Sequence, residues 1–129
     1  MTVHFRLDGN IAVVTGAQGL LGPLWSRALL EAGAVVVGLD LPGVKVSSEF
    51  AKLQRSYGEQ VIAVGADILE AKSLNSVLSV IKKKWGVPSI LVNNAGIDQP
   101  PVVVKKGFYF EDIPYEVGEK ILAVNVLGA

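Results

Sequence analysis

Apolar residues fall along the chain in two alternating patterns. Short β-branched runs occur at Ile11–Thr15, Val35–Leu39, Val61–Ala66 and Ile90–Asn93. They are continuous rather than alternating, which predicts strands of a sheet covered on both faces. Between them, apolar positions return at intervals of three and four, the spacing of one helix face. The first such stretch carries Leu21, Leu24, Trp25, Ala28, Leu29 and Ala32 and stops at Gly33. A weaker one covers Ser47 to Tyr57, with Phe50, Leu53 and Gln54 on one side and Gly58 after it. A third places Leu74, Val77, Leu78 and Ile81 on one face and breaks at Gly86 and Pro88. The fourth opens at Pro114, suited to a first helical turn, and includes Val117, Ile121, Leu122 and Asn125. Strand–helix alternation of this kind predicts βαβ units and a parallel sheet. No repeat, low-complexity stretch or linker divides the chain, so residues 1–129 read as part of one domain. The long irregular stretch is Ala95 to Ile113, with Pro100, Pro101 and Gly107, and loops of that length are more often functional or mobile than filler. Within it Lys105 and Lys106 are placed to border a substrate entrance, with mobile surface the safer reading.

Composition narrows the partners. Half of the 129 residues are hydrophobic and 12 basic residues balance 12 acidic ones, which excludes a disordered tail and leaves no net field for nucleic acid or an anionic membrane. The one basic run, Lys82-Lys83-Lys84, sits at the tail of a helix, where cations complement the dipole. There is no cysteine, hence no disulfide and no thiolate zinc site, and the single histidine, His4, has no second ligand beside it. These features suit a reducing, cytoplasmic setting. No apolar run approaches the roughly 20 residues that cross a bilayer. Trp25 and Trp85 fall at helical core spacing or a helix end and read as core packing.

Candidate chemistry begins between the first strand and the first helix, where Gly16, Gly19 and Gly22 sit three apart. A β-carbon at Gly16 would obstruct a tight strand-to-helix turn. Gly19 would let backbone N–H groups approach a pyrophosphate, and Gly22 would let the helix press against the sheet. The helix dipole and its unpaired N–H groups favour an anion there. Such a triplet also serves a bare structural turn. Asp40 shifts the balance: it closes the second strand, about where an acidic group, roughly 20 residues on, accepts hydrogen bonds from an adenosine ribose. Its charge would repel a 2′-phosphate, favouring NAD over NADP.

Thr15-Gly16-Ala17-Gln18-Gly19-Leu20-Leu21-Gly22, followed by Asn93-Asn94-Ala95-Gly96 at the end of the fourth strand, resembles the short-chain dehydrogenase/reductase family. Asp67-Ile68, Phe110-Glu111-Asp112, Pro114 and Asn125-Val126-Leu127-Gly128 extend the resemblance from about Leu7 to the last residue. It implies a doubly wound, Rossmann-type parallel sheet of local strand order 3-2-1-4, present here as an incomplete domain. It also implies roles. Gly16, Gln18, Gly19 and Leu21 form the pyrophosphate turn, largely through backbone, with Gly22 opening the helix. Asp40 binds the ribose, Asp67 and Ile68 the adenine edge, and Asn94 and Gly96 line the ribose side of the cleft, while Asn125 holds a water in a proton relay. For Asn93 and Asn94 the competing reading is a strand-end turn whose side chains tie loops together. For Asn125 it is a helix-surface amide.

The family's acid/base is a Tyr with a Lys four residues later, and a Ser beside it. No Tyr-x-x-x-Lys occurs here: Tyr57, Tyr109 and Tyr115 are followed at that spacing by Val61, Ile113 and Glu119. In the family these groups come after the helix bearing Asn125, so the expectation is the front portion of a longer enzyme, a homo-oligomer when full length. Leu122, Val124, Val126 and Leu127 leave an apolar helix face to be covered. The expected activity is NAD-dependent hydride transfer at an alcohol/carbonyl centre of a small molecule. The Gly-x-x-Gly-x-x-Gly spacing keeps a nucleotide-sugar epimerase or dehydratase open, and the absent acid/base keeps a non-catalytic dinucleotide sensor open.

Overall fold

In the computed structural model, which describes residues 5–98, 111 and 113–129, the four apolar runs become parallel strands: β1 (Ile11–Thr15), β2 (Val35–Asp40), β3 (Val61–Gly65) and β4 (Ile90–Val92). They are ordered β3-β2-β1-β4, the order the resemblance implies. The register pairs Val13 with Val37 and Leu91, and Val37 with Ile62. His4, Pro100, Pro101, Lys105, Lys106, Gly107, Tyr109, Phe110 and Asp112, all named above, lie outside the described residues.

Both faces of the sheet are covered along β1 and β2, while β3 and β4 are only partly buried. Ala12, Val14 and Val36 point to one face and pack with Leu30 of α1 (Gly22–Glu31) and with Phe50 and Leu53 of α2 (Ser48–Tyr57). Ile11, Val13, Val37 and Leu39 point to the other and pack with Val77 and Ile81 of α3 (Ala71–Lys84). The strict alternation along β1 and β2 is the period-two geometry of a strand. Because each face meets helices, both sets are apolar and the runs are continuous. The last helix, α4 (Tyr115–Leu122), passes into a π-helical segment at Ala123–Leu127.

Element ends move slightly from their expected places, for local reasons. β2 extends to Asp40, which pairs with Gly65, so the acidic residue belongs to the sheet itself. β3 stops at Gly65 and β4 at Val92. Ser47 is not the first residue of α2 but its N-cap, its Oγ accepting the Phe50 N–H at 3.2 Å. Pro114 likewise caps α4 from outside.

One expectation is overturned. Helical spacing assigned Leu21, Leu24, Trp25 and Ala28 to the inner face of α1, yet the buried residues are Gly22, Pro23, Ser26 and Leu30, and Leu24 and Trp25 are about half exposed. The helix starts so close to the glycine turn that no side chain fits at Gly22. A β-carbon on Gly22 would lie 2.5 Å from the carbonyl oxygens of Gly16 and Ala17. Ser26 is buried completely, and its hydroxyl finds no partner among the described residues. Trp25 is therefore not a core residue. Trp85 does pack against the second core, with the Lys84 ammonium 4.7 Å above its ring.

Candidate functional site

The β1–α1 turn is where the glycines act. Gly16 has φ +63°, in the region that favours glycine, and a β-carbon there would sit 2.8 Å from the Cα of Ala95. The turn after β1 and the turn after β4 thus touch backbone to backbone. Gly19 is exposed, and its N–H closes the turn onto the Gly16 carbonyl at 3.1 Å. Leu21 caps α1 without a side-chain hydrogen bond. Among the described residues nothing accepts the N–H groups of Leu20, Leu21 or Gly22. Unpaired donors at the positive end of a helix, beside glycines that add no bulk, are what an anion such as a pyrophosphate requires. A dinucleotide fits these residues on that ground.

Asp40 stands beside this turn. Its Oδ2 accepts the Gln18 N–H and its Oδ1 the Leu41 N–H, each at 2.9 Å, while its own carbonyl accepts from Ala66 at 2.7 Å. The carboxylate is thereby fixed by backbone donors at the carboxyl end of the sheet, and each oxygen keeps a second lone pair for a hydroxyl. A cavity of about 120 Å³ opens here, between Gln18, Asp40, the loop bearing Leu41, Val44 and Val46, and β3 at Ala63–Gly65.

On the other side of Gly16, Asn94 donates its Nδ2 to the carbonyls of Thr15 at 3.0 Å and Gly16 at 3.1 Å. Its side chain ties two loops together, the alternative reading weighed above. Asn93 is exposed. The Thr15 hydroxyl completes the junction by accepting the N–H groups of Asn94 and Ala95 at 3.1 and 3.0 Å. Thr15 stands in the motif quoted above, but its partners lie about 80 residues away, and residue type alone does not reveal them.

Asn125 sits in the π-helical segment. Its Oδ1 accepts the Ile97 N–H at 2.8 Å and its Nδ2 donates to the Ile97 carbonyl at 2.9 Å. Gly96 lies alongside, where a β-carbon would meet Asn125 Oδ1 at 3.4 Å. Short π segments recur at functional sites, where they re-aim single residues. The Asp67 carboxylate accepts the Leu69 N–H at 2.9 Å and its own N–H donates to Ser73 Oγ at 3.1 Å, so it also shapes the turn into α3. Ile68 packs so close to Gly128 that a β-carbon there would lie 2.9 Å from its Cδ1. The fold thus gathers Gly16, Gln18, Asp40 and Asn94 in one cluster and Gly96 with Asn125 in the next. Ile68 borders the end of the π segment. Among the described residues no helix is long and apolar enough to cross a membrane, and no cluster of metal-ligating side chains occurs.

The model of the short chain dehydrogenase family matches residues 10–129. The chain is 38% identical over 92 residues to a farnesol dehydrogenase of Aedes aegypti, an alignment covering 71% of this chain and 38% of that one. It is 32% identical to the ribulose-forming D-arabinitol 2-dehydrogenase of Scheffersomyces stipitis, over 98% of this chain and 47% of that one. Among solved structures, the 3-ketoacyl-(acyl-carrier-protein) reductase from Brucella melitensis complexed with NADH matches with a TM-score of 0.76 and 29% identity, over 95% of this chain and 47% of that one. The chain therefore spans less than half the length of each of these proteins.

Proposed function

The chain belongs to the short chain dehydrogenase family, and from that premise we propose that it provides the dinucleotide cradle of an NAD-dependent oxidoreductase acting on an alcohol/carbonyl pair. The observation that carries the cofactor choice is the Asp40 carboxylate, fixed 2.9 Å from the Gln18 N–H beside the glycine turn. A fixed negative charge there accepts hydrogen bonds from ribose hydroxyls and repels a 2′-phosphate. NADH bound to the reductase from Brucella melitensis supports a nicotinamide dinucleotide in general. The substrate class follows relatives named for dehydrogenation of farnesol and arabinitol.

The cofactor supplies a hydride acceptor or donor; the protein supplies its place and a path for the proton. The unpaired N–H groups of the glycine turn hold the pyrophosphate and Asp40 the adenosine ribose. Asp67 and Ile68 would border the adenine, and Asn94, on the ribose side of the cleft, keeps the turns after β1 and β4 together. Asn125 contributes to the proton path: beyond its two bonds to Ile97, its side-chain oxygen can accept and its nitrogen donate once more, enough to position a water. No Tyr-x-x-x-Lys lies within these residues, so none of their tyrosines is assigned as the acid/base.

Calorimetric titration with NADH and NADPH tests the reading. The expected result is NADH binding at least about tenfold tighter, the size of one charge-assisted hydrogen bond. Equal affinities would remove the role of Asp40, and binding of neither would remove the cradle.

A further inference from the structure

Gln18 has so far entered only through its N–H; its side chain has a separate partner. Gln18 Oε1 accepts the backbone N–H of Ser47 at 2.8 Å. Ser47 is the N-cap of α2, and its Oγ already serves the Phe50 N–H. In a capping box the third helical residue returns a side-chain acceptor to the N–H of the cap. Here that residue is Phe50, which offers no acceptor and is completely buried. Its place is fixed by the core: a β-carbon on Gly38 would lie 2.6 Å from the Phe50 ring. The helix cannot close its own box, and Gln18 closes it from the glycine turn.

The same residue also grips the other end of the β2–α2 loop, since the Gln18 N–H donates to Asp40 Oδ2 at 2.9 Å. Between these two anchors, among the described residues, the loop 41–46 is tied only to itself and to Asp40, through Leu41 N–H to Asp40 Oδ1 and Val44 N–H to the Leu41 carbonyl. Gln18, Asp40 and this loop wall the cavity of about 120 Å³.

We propose that Gln18 is a positioning residue for cofactor discrimination. By pinning Ser47 with its side chain and Asp40 with its N–H, it keeps the carboxylate and the loop fixed beside the ribose, so that a 2′-phosphate meets an immobile negative charge. Without the side-chain acceptor, the Ser47 end of the loop is released, and the loop can carry the Leu41 N–H away from Asp40 Oδ1, loosening one of the two donors that hold the carboxylate. This rests on the dinucleotide reading above.

The test uses the full chain with two variants. Gln18→Met keeps the length of the side chain and removes the acceptor, whereas Gln18→Glu keeps an acceptor oxygen. NADH and NADPH are titrated by calorimetry, and amide hydrogen exchange is followed at Ser47. In Gln18→Met the preference for NADH should fall by about tenfold, the equivalent of one hydrogen bond, and the Ser47 amide should exchange faster. Gln18→Glu keeps an acceptor, so it should keep the Ser47 protection and at least the wild-type preference for NADH, because its added charge beside Asp40 disfavours a 2′-phosphate further. An unchanged preference or an unchanged Ser47 exchange rate in Gln18→Met overturns this inference alone. A wild-type chain that binds neither cofactor, or both equally, overturns the dinucleotide or Asp40 reading first and this inference with it.

Discussion

Among the described residues the two sides of the sheet are not equally buried. β1 is buried along its whole length and β2 at all but its end residues. At the centre of β4, by contrast, Leu91 is 60% exposed, and α4 buries no residue. Among the described residues β4 pairs only with β1. The two halves of the candidate site inherit this difference. Asp40 and the glycine turn rest on strands locked between helices, so their geometry is set by close packing. Gly96 and Asn125 are held by single side-chain amides and by the Thr15 junction. The proposed nucleotide end is thus pre-organised by the core, with Gln18 pinning the β2–α2 loop across it, while the end proposed for the substrate depends on a few polar contacts alone.

Three substitutions would break or sharpen this contrast. The largest effect is expected at Phe50→Ala, which empties the core beneath the β2–α2 loop. It should cost about 3–5 kcal/mol in urea unfolding and weaken cofactor binding as Asp40 loses its support. Thr15→Val comes next. Its shape fits the strand, but the N–H groups of Asn94 and Ala95 lose their acceptor, and a loss of about 1–3 kcal/mol in the same unfolding experiment is expected. The smallest is Leu91→Ser, on the exposed side, which should stay within about 0.5 kcal/mol of wild type by thermal melting. A cost at Leu91 comparable to that at Phe50 would mean that the β4 edge is as well buried as the nucleotide side, and the contrast would fail.

Much of the nucleotide side is written locally. Strand runs, helix periods, the glycine that must take positive φ and the acid at the end of β2 are each encoded within a few neighbouring residues, so Gly16 and Asp40 are visible before any fold is known. The inner face of α1 is not. Period alone selects Leu24 and Trp25, because it ranks positions by hydrophobicity, whereas the turn leaves no room for a β-carbon at Gly22 and the helix buries Gly22, Pro23, Ser26 and Leu30 instead. The limit is steric and lies with the Gly16 and Ala17 carbonyls of the turn that leads into the helix, which hydrophobic period does not register.

The same reason separates what the sequence determined from what only the tertiary structure decided. Alternating periods and breakers were sufficient for the parallel α/β order, and the motifs for the family and the candidate cradle. The contacts from Gln18 to Ser47, from Thr15 to Asn94 and Ala95, and from Asn125 to Ile97 join residues far apart in the chain. A hydrogen bond depends on distance and direction to within fractions of an ångström. Those are properties of two backbones brought together by the packed sheet, and no local pattern contains them.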